Sequence, residues 1–120
     1  MNAGRELDAR VATRVMGTEI PAWLEVPDGL DTMTSLEIVP LYSTSIVAAW
    51  SIVDAMERRG YWCEMRTPFM EPGGDDGYWA GFTPHSTSGW NGRPDHWTQA
   101  ESLPFAICLA ALKACGVEGF

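Results

Sequence analysis

At 120 residues and 46% hydrophobic content the chain has the length and apolar share of one compact domain, which excludes a disordered tail protein. Sixteen acidic against eight basic side chains give a formal net charge of -8, a field that repels nucleic-acid polymers and anionic membranes, with no basic run to oppose it. Three cysteines without a Cys-x-x-Cys pair point to a reducing cytoplasm rather than a disulfide framework, and no stretch approaches the ~18 apolar residues of a membrane span.

In chain order, residues 2–17 predict a short amphipathic helix. Asn2 is its expected cap, Leu7, Val11 and Val15 form its apolar stripe, and Gly17 ends it. Residues 18–41 hold three prolines and the turn-like Pro27-Asp28-Gly29, so they read as a long loop inserted in a single domain spanning 1–120. That loop either packs Trp23, Leu24 and Val26 over the core or serves binding. A short edge strand is expected at residues 36–39.

Residues 40–60 make the best-defined helix. Pro40 blocks an earlier start and Ser43 is the expected N-cap. Ile46, Ala49, Trp50, Val53 and Met56 recur at helical spacing as a core stripe, and Gly60 closes the element. The next residues alternate, with Tyr61, Cys63 and Met65 on one face of a strand and Trp62, Glu64 and Arg66 on the other. A Pro/Gly/Asp-rich turn at residues 71–77 leads to a second strand at residues 78–83. The link is too short for a crossover helix, so the pair should be antiparallel. Residues 85–99 read as irregular, with a short third strand near Trp97. The last helix starts near Ser102 with Pro104 in its first turn and runs to Gly116. It is apolar almost all round, so it should be buried or should cover both a sheet and a partner surface, and self-association is expected on that ground.

Two motifs carry a resemblance: Pro40-Leu41-Tyr42-Ser43-Thr44-Ser45-Ile46 with Ala48-Ala49-Trp50, and the run from Leu103-Pro104-Phe105 through Ala111-Leu112-Lys113-Ala114. With the opening helix that ends in Val15-Met16-Gly17, they resemble the phage ABA sandwich domain family, small phage and prophage proteins. The resemblance implies an α+β fold, a small α/β/α-type sandwich with a short antiparallel sheet and three helices. It also implies a phage origin. This chain departs from the family pattern at Ser45, where the family tends to place Asp, and at Leu109, where it tends to place Arg.

Tyr42, Ser43, Thr44 and Ser45 set hydroxyls and free amides at a helix start, which serves either as a plain cap or as a site for a phosphate or carboxylate. Ser45 in place of the family's Asp removes a negative charge and favours the second use. Trp90 and Trp97 beside Arg93 and His96 can stack a base and contact a phosphate, or can simply fix their loop. Arg66 shares a strand face with Glu64, which suits a cleft or a soluble surface equally. His85, Asp95, His96 and the cysteines show no metal-ligand spacing, and no nucleophile elbow, GxGxxG or Walker loop is present. The expectation is a non-enzymatic phage accessory protein without a cofactor, acting as a homo-oligomer in the host cytoplasm. It would bind and sequester a small anionic nucleotide messenger of host defence. The alternative is a protein-protein interaction module that docks through Trp23 and the acidic loops.

Overall fold

The computed structural model describes residues 2–20, 38–66, 77–84 and 98–116. Within them lie three helices and one sheet: α1 (Arg5–Arg14), α2 (Ile46–Arg58), β1 (Tyr61–Arg66), β2 (Tyr78–Pro84), β3 (Thr98–Ala100) and α3 (Leu103–Ala114). This is the α+β arrangement with a short antiparallel sheet and three helices that the sequence predicts. The sheet order is β1-β2-β3, and both pairings are antiparallel.

The register sorts the strand residues onto two faces. Cys63 stands opposite Phe82 and Met65 opposite Ala80, while Trp62 stands opposite Thr83, Glu64 opposite Gly81 and Arg66 opposite Trp79. Because side chains alternate, the first set forms the helix-facing side and the second the outer side. Phe82 and Ala80 are fully buried, and Tyr61, Cys63, Met65, Tyr78 and Ala100 pack against the same core. Helix α2 lies over β1, and α3 lies over β2 and β3 and against α2, with α1 packed on α3. The Thr98 hydroxyl donates to the Ala106 carbonyl at 3.0 Å and ties β3 to α3.

Helix α3 is buried along Ala106, Ile107, Cys108, Ala110, Ala111 and Leu112, with Ser102 as N-cap accepting from the Phe105 amide and Pro104 in its first turn. Leu103, Phe105 and Leu109 of the same helix are half-buried. In α1, Leu7, Val11 and Val15 are fully buried, and Gly17 takes a φ of 71, a left-handed value that ends helices readily.

Four local expectations are corrected. The cap of α1 is Gly4 rather than Asn2, and its amide donates to the Ser43 hydroxyl at 2.9 Å. The cap of α2 is Ser45, two residues beyond Ser43, with its hydroxyl accepting from the Ala48 amide at 3.4 Å. The buried face of α2 is Ala49, Ile52, Val53 and Met56, which leaves Trp50 49% exposed. Trp50 follows Ala49 by one position, about 100° round the helix, and so falls off the core side. Ile38 and Val39 belong to no strand, and Val39 is fully buried.

Candidate functional site

The start of α2 is built around a buried carboxylate. Asp8 is fully buried, and its Oδ1 accepts the Ser43 amide at 2.8 Å and the Ser43 hydroxyl at 2.6 Å. The Arg5 guanidinium meets Oδ2 at 3.0 Å and also donates to the Pro40 carbonyl at 3.3 Å. The chain thus supplies its own anion to this helix start, and Ser43 is turned inward to hold it. Tyr42 also belongs to the core, and burial, with Cys108 and Asp8 nearby, pushes its phenol above the usual range. Thr44 is exposed and Ser45 half-buried. The amides of Ile46 and Val47 have no hydrogen-bond partner among the described residues, and no acidic side chain sits in the first turn of α2. An external anion at this end would have those two amides and would face the charge of Asp8 beneath them.

The surface round that helix start is apolar. Leu41 and Ile46 are each 38% exposed and Val47 is 78% exposed, beside Trp50. Trp50 lies four residues after Ile46 and three after Val47, so it neighbours both on the surface of α2. Beyond them lies the exposed Asp54–Arg58 ion pair.

The outer sheet face is the second candidate. Trp62, Glu64 and Arg66 alternate along β1 and meet Thr83, Gly81 and Trp79 of β2, with Gln99 of β3 opposite Trp79. Trp79 is half-buried on this face and Trp62 is 54% exposed. Gly81, opposite Glu64, adds no side chain and is buried. Gly77 allows Gln99 to lie across it, since a Cβ there would meet the Gln99 Cγ at 2.6 Å. The Thr83 hydroxyl is buried without a hydrogen-bond partner among the described residues, which is uncommon in a folded chain. The face thus joins aromatic rings, one guanidinium, one carboxylate and one unsatisfied hydroxyl.

Of the residues singled out from the sequence, Arg66 falls on this outer face and Thr44 and Ser45 on the start of α2, while Tyr42 and Ser43 serve the interior. Trp90, Arg93, His96 and Trp97, together with Trp23, lie outside the described residues. Trp79 was not among the residues singled out from the sequence. The alternation of residues 78–83 puts Trp79 out of phase with Ala80 and Phe82 and could have found it.

All three cysteine thiols are raised above their ordinary range. Burial, with Glu57 and Glu64 nearby, pushes the Cys63 thiol up to about 12, and burial raises Cys108 as well. Burial also raises Cys115, against the lowering effect of Arg59, which donates to its sulfur at 3.4 Å. Among the described residues no group of three His, Cys, Asp or Glu side chains is placed to hold a metal ion, and no helix is long and apolar enough to cross a membrane.

Comparison with known proteins bears on the whole fold. The family model of the phage ABA sandwich domain matches residues 9–112. The chain is similar to a phage protein from Bacillus cereus ATCC 14579 known from a crystal structure, with 24% sequence identity and a TM-score of 0.60 over 100% of this chain and 95% of that one. At that identity the likeness shows a shared fold alone. No curated protein matches the chain.

Proposed function

Because the chain belongs to the phage ABA sandwich domain family, we propose that it is a non-enzymatic phage accessory protein that binds a small anionic, nucleotide-like ligand on the outer face of its sheet and so sequesters it. One observation carries this reading: the strand register brings Trp62, Trp79 and Arg66 together on the face opposite the buried Phe82 and Ala80. Exposed aromatic rings stack bases of any sequence, and a guanidinium takes a phosphate in a forked geometry. The reading places the ligand on the sheet rather than at the start of α2, where Asp8 already occupies Ser43. Calorimetric titration with mononucleotides, cyclic dinucleotides and ADP-ribose derivatives tests it. A saturable ligand whose affinity falls about tenfold or more in Trp62→Ala and Arg66→Ala supports the face; no binding across the panel removes the reading.

The exposed Leu41, Ile46, Val47 and Trp50 favour a second reading, a module that docks on another protein through the first turns of α2. The same patch is the surface through which we expect copies of the chain to associate. Analytical ultracentrifugation of the wild type and Val47→Glu separates these uses. A dimer lost in the variant assigns the patch to self-association, and a monomer in both leaves it to a partner protein.

A further inference from the structure

We draw no further inference here: the strongest candidate, the exposed apolar patch of Leu41, Ile46, Val47 and Trp50 round the start of α2, belongs to the second reading above, and nothing in the structure shows what covers it.

Discussion

Three donors converge on the carboxylate of Asp8, and together they explain why the hydroxyl run at residues 43–45 does two different jobs. Ser43 reaches back across 35 residues to Asp8, while Ser45 caps α2. The division locks α1 to the entry of α2 through the hydrogen bonds of Ser43 to the buried Asp8, which also pairs with Arg5. Removing a partner from such a pair leaves a buried polar group without its bond, so Asp8→Ala should lower stability by about 3–5 kcal/mol and Ser43→Ala by about 1–3 kcal/mol in urea denaturation. Equal and negligible losses would show that the network holds nothing together. Cys63 supplies a pH dependence. Its thiol ordinarily ionises near 9, and in the fold it is held protonated up to about 12. The unfolded chain therefore gives up this proton first. The contribution of Cys63 to stability is full below about pH 9 and is lost as pH rises toward about 12. Urea midpoints measured across that window should fall for wild type and fall less steeply for Cys63→Ala. Little of this was legible in the sequence. A cap is a local signal, but the partner that draws Ser43 inward is far away along the chain, and no spacing rule connects them.

At the scale of elements, the period of α2 was readable and its phase was not, whereas the stripe expected for α1 is the buried one. Residues 46, 49, 50, 53 and 56 fit a helical stripe, yet the true core side is shifted to include Ile52 and to leave out Trp50 and Ile46. An apolar residue on the rim of a stripe looks the same in sequence whether it packs or faces water. Trp50→Ala should accordingly change stability by no more than about 0.5 kcal/mol, whereas Phe82→Ala, at the centre of the sheet's inner face, should cost about 3–5 kcal/mol. Thermal or urea unfolding of the two variants checks the assignment, and comparable losses in both would return Trp50 to the core. The strands were easier, because an alternation of period two leaves no choice of phase. Trp62, Glu64 and Arg66 share a face as their spacing requires. What alternation could not show is which face the helices cover. That follows from the fully buried Ala80 and Phe82 of β2, and it is why Trp79 lies outward.

For the whole molecule, the family resemblance and the element pattern agree with the α+β fold, and the agreement has a physical basis. Leu7, Val11 and Val15 of α1, the Ala49 to Met56 side of α2, and Ala106 to Leu112 of α3 enclose Phe82 and Ala80 in one core. Among the described residues, two surfaces lie outside that core, the outer sheet face and the first turns of α2. Composition is silent on which of them works, since net charge describes a whole field while binding depends on where single charges and rings are placed. The central claim is that the sheet face is the binding surface. The most direct measurement is a calorimetric titration of the nucleotide panel into wild type, Trp62→Ala, Arg66→Ala and Trp50→Ala. The account predicts a ligand whose affinity drops about tenfold or more in Trp62→Ala and Arg66→Ala and stays within about twofold of wild type in Trp50→Ala. Binding that survives both sheet-face substitutions and is lost in Trp50→Ala would contradict it and move the function to the start of α2.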